Sequence, residues 1–353
     1  MSECRQEKRT LGVALIGIGM VAKAHARALQ DLQESLTLRG IYSRTESSRK
    51  EFLATYQFNE TPIEYDCIDA IAQDDSVDIV IVLTPPNARI EIIKTLAAAG
   101  KHLLIEKPIE RTSKAAAKIV DICERHKVKL GVVFQYRMRA GAKELTRLVQ
   151  SGELGELAAA EINIPWWRDQ AYYDHAGRGT YAQDGGGVLI TQAIHTLDLA
   201  LSLTGPVESV QAVATTTPLH KMEAEDFVAA GIRFTNGAVG SLTASTVSFP
   251  GGNENIHLHF ENASAIFQGE TSTVYWRDGR IETVGEEGGT GGGADPMAFP
   301  HVWHQELIAD FAEAVIQDKE PCVSGKVGLK VHQLIDALVE SSREQRAVSL
   351  TSK

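Results

Sequence analysis

LGVALIGIGMVAKAHARALQ, residues 11–30, decides the fold. Leu11–Ile16 is an unbroken apolar run of the length of a buried strand, and Gly17-Ile18-Gly19-Met20-Val21-Ala22 follows it directly, with alanine at the third fingerprint position. Val21, Ala22, Ala28, Leu29 and Leu32 then share one face at helical spacing, so the glycines sit between a strand and a helix. Gly17 permits a tight turn, Gly19 leaves the backbone bare, and the first N–H groups of the helix face whatever lies beyond them. An anion fits there, and strand-turn-helix is the context in which this pattern binds the pyrophosphate of a dinucleotide. Gly17, Gly19, Met20 and Val21 are therefore candidate cofactor-binding positions.

Outward from this turn, short apolar runs alternate with amphipathic stretches: SLTLRGIY, VDIVIVLT, KHLLIE and KLGVVF. That rhythm predicts βαβ units and a Rossmann doubly wound parallel sheet over residues 1–134. Beyond Phe134, ELAAAEINI, VESVQAVATTT, DFVAAGIRF, AVGSLTASTV and NIHLHFENASAIF alternate at strand period, with hairpin signals at Asn236-Gly237 and Asp278-Gly279. Residues 135–353 are thus expected to form a second α/β domain around a large, mostly antiparallel sheet. Helical stretches are expected at Val188–Leu203, near Val302–Gln317 and near Val327–Arg343, and GEEGGTGGGA at 285–294 reads as a loop.

A net charge of -11 across 353 residues offers no clustered positive charge for nucleic acid or an anionic bilayer. The polar leader MSECRQEKRT and the short run after it match neither a secretion signal nor a membrane span, which predicts a cytoplasmic protein. Cys4, Cys67, Cys123 and Cys322 lie too far apart for a zinc spacing and are read as reduced and structural; no metal site is expected.

An acidic residue at the end of the second strand would accept hydrogen bonds from both ribose hydroxyls of NAD. This chain has Ser43 and Arg44 there, a hydroxyl and a guanidinium suited to a 2′-phosphate, so NADP is favoured over NAD. The alternative reading of Arg44 is a solvated surface charge. Three further clusters stand where strands hand over to loops or helices: Thr84-Pro85-Pro86-Asn87, Glu106-Lys107-Pro108, and Gly185-Gly186-Gly187 followed by His195 and Asp198. Open α/β sheets bind ligands beyond the carboxyl ends of their strands, which makes Thr84, Pro85, Asn87, Glu106 and Lys107 candidate cofactor contacts.

With these clusters in order, the chain resembles the glucose-fructose oxidoreductase, inositol dehydrogenase and MocA (Gfo/Idh/MocA) family. GIGMVAKAH at 17–25, TPPN at 84–87, EKP at 106–108, GGGVLITQAIHTLD at 185–198 and HQELIADFAEAV at 304–315 carry the likeness over nearly the whole length. The resemblance implies a Rossmann domain joined to an α/β domain whose open sheet forms a subunit interface, hence a homodimer or homotetramer. It implies hydride transfer between NAD(P) and a sugar, sugar acid or inositol-like polyol, with Lys107 and His195 near the reacting carbon. Oxidising an alcohol needs a base for the hydroxyl proton and a cation for the developing alkoxide, roles that His195 and Lys107 fit. Asp198, three residues on, either orients the His195 imidazole or caps packing. Two other activities found in the family stay open: transient oxidation serving elimination or glycoside cleavage, and NAD(P) sensing without turnover.

The chain departs from the family pattern at Thr191, where inositol dehydrogenases commonly carry aspartate, and at Arg89, where a histidine is common. Thr191 hydrogen-bonds but is no base at neutral pH. Arg89 is read as facing solvent, with selection of an acidic substrate as the alternative. Upstream of the triple glycine, Trp166-Trp167-Arg168 and the stretch from Tyr172 to Thr180 supply aromatic faces and polar groups suited to a sugar ring. Arg168, Tyr172, Arg178, Thr191 and His195 are the candidate substrate-binding residues; packing at an interface is the competing account of the aromatic stretch. Gln135-Tyr136-Arg137 is a candidate to reach the cleft, and His301 and His304 are read as structural.

Overall fold

A computed structural model describes residues 10–286 and 299–350. The leader with Cys4, and most of the glycine-rich stretch at 285–294, lie outside the described residues. The chain divides into two compact units: residues up to Ile109 with Ala117–Val133 and Pro300–Gly325, and Glu110–Ala116 with Phe134–Phe299 and the chain from Lys326 onward. The contact pattern thus assigns Pro300–Gly325 to the first unit, whereas a single boundary at 134 places it in the second.

In the first unit, strands β1 (Leu11–Ile16), β2 (Leu36–Tyr42), β3 (Ile63–Glu64), β4 (Ile79–Val82), β5 (His102–Glu106) and β6 (Leu130–Val133) alternate with helices α1 (Ala22–Asp31), α2 (Glu46–Thr55), α3 (Ile68–Gln73), α4 (Arg89–Ala98) and, from Ala117 on, α5 (Ser113–Arg125). The sheet order is β3-β2-β1-β4-β5-β6, with every pairing parallel. Order reverses between β1 and β4, the switch point at which such sheets open a crevice. Both central strands are buried along their whole length, as LGVALI and IVIV require when helices cover both faces.

The second unit carries α6 (Ala140–Ser151), β7 (Leu157–Pro165), α7 (Gln170–Tyr173), a π-helical segment at Leu189–Ala193 and α8 (Ile194–Thr204). Strands β8 (Val207–Thr215), β9 (Phe227–Phe234), β10 (Val239–Ser245), β11 (Asn255–Phe260), β12 (Ala263–Gln268), β13 (Thr271–Trp276) and β14 (Ile281–Val284) follow. Helix α9 (Val302–Ile316) belongs to the first unit; α10 (Gly325–Glu344) and β15 (Val348–Ser349) close the described chain. The nine strands run β14-β13-β12-β11-β7-β10-β9-β8-β15, antiparallel except for β10 on β7. Asn236-Gly237 turns β9 into β10 and Asp278-Gly279 turns β13 into β14, with Gly237 at φ +89° and Gly279 at φ +93° supplying the left-handed residue of each turn. Alternate side chains of these strands, such as Ala212, Leu242 and Val274, are buried, while their neighbours Val213 and Tyr275 face outward. Cys123 is buried, which pushes its thiol up to about 12, whereas Cys67 and Cys322 are exposed thiols.

Candidate functional site

At the switch point, Gly17 adopts φ +92°, and a Cβ there would lie 3.0 Å from the backbone of Leu83 and Thr84. The loops leaving β1 and β4 pass at backbone distance, and only glycine fits between them. A Cβ on Gly19 would meet nothing within 4 Å, Met20 is 65% exposed, and α1 begins with no side-chain cap. A helix start with no side-chain cap beside open space is what a pyrophosphate occupies, so these residues fit a dinucleotide. At the end of β2, Ser43 is half-buried and Arg44 exposed. The Ser43 carbonyl accepts a 2.6 Å hydrogen bond from Arg49 Nη1, whose Nε lies 3.2 Å from Glu64. Arg49 escaped the sequence reading, although its place on the first turns of α2 brings a second guanidinium to this loop.

Thr84 is half-buried, with Pro85 and Asn87 exposed on the turn after it. Arg89 corrects the expectation of a solvent-facing cation: it is 2% exposed. Its Nε and Nη2 donate to the Thr84 carbonyl at 2.9 and 2.5 Å, and its Nη1 donates to the carbonyls of Glu106 and Pro108. Neither solvent nor an acidic substrate is needed to account for it, because backbone oxygens at the ends of β4 and β5 occupy the guanidinium.

Glu106, expected beside the cofactor, commits its carboxylate to protein partners. Oε1 lies 2.9 Å from His25 Nε2 on α1 and 3.8 Å from His304 Nε2 on α9, while Oε2 accepts the Lys107 N–H at 3.2 Å. Burial raises the Glu106 pKa, but the His25 hydrogen bond and the charges of His25, His304 and Lys107 outweigh it and hold the group below the usual carboxylate range. Burial, with His25 beside it, pushes His304 down to about 3. Among the described residues, this trio is the one set of three ligand-type side chains whose donor atoms all lie within 4.8 Å of one another, and a direct hydrogen bond already joins two of them. Lys107 itself is half-buried, just beyond β5.

In the second unit the last glycine of the triple, Gly187, is explained by Glu225, while a Cβ on Gly185 would lie 2.7 Å from the Arg111 Cα. A Cβ on Gly187 would lie 1.8 Å from the Glu225 carbonyl oxygen, and the Glu225 carboxylate accepts N–H bonds from Gly187 (3.2 Å) and Leu189 (3.1 Å). A buried carboxylate thus caps the start of the π-helical segment, burial raising its pKa against those backbone donors. The π segment delivers His195 to the first turn of α8 at 7% exposure. Its ring stacks on Tyr136 at 4.8 Å and 23°, with Phe134 edge-on at 6.0 Å. Tyr136 also carries the Arg139 guanidinium 3.3 Å from its ring centre, and Arg139 pairs with buried Glu254 at 2.5 Å.

The fully buried Asp198 is gripped by Arg137 through Nε and Nη2, both at 2.7 Å, which gives its carboxylate the packing role, one of the two alternatives for it. Gln135 and Tyr136 do not line an open surface, being 4% and 3% exposed. The aromatic stretch does draw its residues together. Tyr172 has the guanidinium carbons of Arg168 and Arg178 at 5.7 and 5.2 Å from its ring, and its hydroxyl accepts from Gln192 at 3.4 Å. Gln192 in turn accepts from Thr191 Oγ1, which also bonds the Gly187 carbonyl at 2.6 Å. Thr191, one helical turn before His195, therefore serves as a hydrogen-bonding link. Gln192 and His220 were missed: His220 bonds Asp226 and the Arg168 carbonyl, both at 2.9 Å, fixing the backbone of Arg168. No local signal marks His220, since the contact spans 52 residues.

Comparison with known proteins agrees with this geometry. Residues 11–134 match the oxidoreductase family with an NAD-binding Rossmann fold, and residues 142–266 match the GFO/IDH/MocA C-terminal domain. The levoglucosan dehydrogenase of Pseudarthrobacter phenanthrenivorans is 24% identical over 97% of this chain and 98% of its own. The inositol 2-dehydrogenase of Rhizobium meliloti is 24% identical over 97% and 99%. The WlbA dehydrogenase of Bordetella pertussis, solved with NADH and UDP-GlcNAcA, superposes with a TM-score of 0.81 at 25% identity, covering 98% of this chain and all of that one. With both of its domains matched, and with the dinucleotide turn at the switch point, the chain belongs to the Gfo/Idh/MocA family of NAD-binding oxidoreductases.

Proposed function

We propose that the protein is an NAD(P)-dependent dehydrogenase or reductase that moves a hydride between the nicotinamide and a sugar, sugar acid or cyclic polyol. The observation that carries this reading is the β1–α1 turn, where Gly19 leaves open space before an uncapped helix start. Relatives named for levoglucosan and inositol, and one solved with a UDP-sugar acid, support the substrate class. When bound, the nicotinamide supplies the hydride acceptor or donor. In the oxidative direction the reaction needs a base for the hydroxyl proton, the role read for His195, and a cation for the developing charge, the role read for Lys107. The buried ring stack on Tyr136 restricts the His195 imidazole to one plane. Arg168, Tyr172, Arg178 and Thr191 bind the ring hydroxyls, with the Tyr172 face stacking on sugar C–H groups.

NADP is the preferred cofactor in this reading. Ser43, Arg44 and Arg49 give the β2 loop two guanidiniums and a hydroxyl for the 2′-phosphate. Replacing Ser43 with Asp and Arg44 with Ala should weaken NADP and favour NAD, the ratio of affinities shifting by about tenfold or more, as a charge-assisted bond of ~1.5–3 kcal/mol dictates. A ratio unchanged in a fluorescence titration of both cofactors removes these residues from recognition. No helix of the described residues is long and apolar enough to cross a membrane, and the reading places the protein in the cytoplasm. It further assigns the outward sheet face, with Val213, Val239 and Tyr275 exposed, to a second copy of the chain in a homodimer or homotetramer.

The deciding experiment follows reduced-nicotinamide absorbance while the protein meets NADP+ or NAD+ with aldoses, uronic acids and inositols, and the reduced cofactors with the matching keto compounds. Turnover with one ring class establishes the reaction. Tight cofactor binding with no net redox change on any compound overturns it in favour of transient oxidation or sensing.

A further inference from the structure

Lys107 stands between two peptide groups that the fold holds unusually firmly. A single guanidinium, Arg89, spans the carbonyls on either side of it, those of Glu106 and Pro108, and ties them to Thr84 O at the end of β4. The Lys107 N–H is held by Glu106 Oε2, and Glu106 Oε1 is held by His25 of the helix that starts at the pyrophosphate turn. His304 of α9 closes the cluster, its ring edge-on to His25 at 4.9 Å. Arg89, Glu106, His25 and His304 are 2%, 7%, 0% and 1% exposed. Burying a guanidinium is costly, and a fold that needed only tight packing here is served as well by an apolar side chain. What the guanidinium adds is a rigid fork whose N–H groups hold three carbonyl oxygens at once, which neither lysine nor an apolar residue reproduces.

We infer that Arg89 is a positioning residue for Lys107, locking the backbone on both sides of the lysine to the end of β4 so that its ammonium meets the reacting oxygen. The inference rests on the proposed role of Lys107. Displacing a reacting group by about 1 Å costs on the order of 10²-fold in rate, and this is the loss expected in kcat for Arg89→Lys. The substrate KM and the cofactor Kd should change by less than about threefold, because the lost interaction acts only in the transition state.

The test is a double-mutant cycle in the full-length protein, using Arg89→Lys and Lys107→Met singly and together. If Arg89 acts through Lys107, adding Arg89→Lys to Lys107→Met lowers kcat no further. A general folding role gives losses that multiply, and that outcome, or an unchanged kcat in Arg89→Lys, overturns the inference. Partial recovery of Arg89→Ala by added methylguanidinium, with none in Lys107→Met, is the matching rescue; Arg89→Lys keeps the cycle available where Arg89→Ala does not fold. A readout without substrate or cofactor separates this inference from the proposed activity: the rate at which acetic anhydride labels Lys107, followed by mass spectrometry against the other lysines. Arg89→Lys should shift labelling at Lys107 alone. If the wild-type protein turns over nothing yet this shift appears, the activity has failed and the positioning stands; an unshifted rate sinks the positioning.

Discussion

Lys107→Met is expected to leave the fold and the NAD(P) affinity close to their original values while kcat falls by about 10²–10⁴-fold, the usual contribution of a positioned proton-transfer or charge-stabilising group. Methionine keeps an unbranched stem of similar reach, so the half-buried side chain still fills its place beyond β5 and only the ammonium is lost. Several bonds around it are carried by other atoms: the Lys107 N–H to Glu106, the Arg89 bonds to neighbouring carbonyls and the His25–Glu106 pair all survive the change. Thermal denaturation should accordingly move little, and a titration of reduced cofactor should give a similar Kd. A group that acts only on the developing alkoxide lowers kcat and kcat/KM together; one that merely binds substrate raises KM with kcat intact. An unaltered kcat, or a pure KM effect, removes Lys107 from the chemistry.

What was legible in the sequence follows from the range of the interactions involved. The Rossmann order was readable because each strand, turn and helix is set by residues within a dozen positions, from LGVALI through the Gly17 turn to the apolar face of α1. The hairpins at Asn236-Gly237 and Asp278-Gly279 were readable for the same reason. The interior of the site was not. Arg89 looks like a surface cation in its own helix, and only the return of the chain at Glu106 and Pro108, 17 and 19 residues later, supplies the carbonyls that bury it. Asp198 has the helical spacing to reach His195, yet Arg137, 61 residues earlier, offers a bidentate fork that a carboxylate prefers. His304 meets Glu106 only because α9 belongs to the first unit, a fact with no local sequence mark. Buried polar groups find their partners through tertiary packing, so their type is readable from sequence and their pairing is not.

The same substitution at two glycines should have opposite consequences, and the pair separates a cradle for a ligand from a contact within the fold. Gly19→Ala places its Cβ where no protein atom lies within 4 Å, at a backbone angle any residue adopts. Folding should be indifferent, with the unfolding free energy changed by no more than about 0.5 kcal/mol, while NAD(P) affinity falls because the methyl group enters the space meant for the pyrophosphate. Gly187→Ala places its Cβ 1.8 Å from the Glu225 carbonyl oxygen and 2.8 Å from the Glu225 nitrogen, both backbone atoms that cannot rotate away. The start of the π segment must then separate from Glu225, stretching the carboxylate bonds to Gly187 and Leu189 and the Val188 N–H bond to the Glu225 carbonyl. Overpacking of this kind costs about 1–3 kcal/mol, and releasing a buried carboxylate from its donors adds about 1–3 kcal/mol more. Because His195 is delivered by that segment, activity should fall with stability while cofactor Kd, set in the other unit, stays constant. If Gly19→Ala destabilises the protein as much as Gly187→Ala, or leaves cofactor affinity untouched, the open space before α1 is not where the pyrophosphate binds.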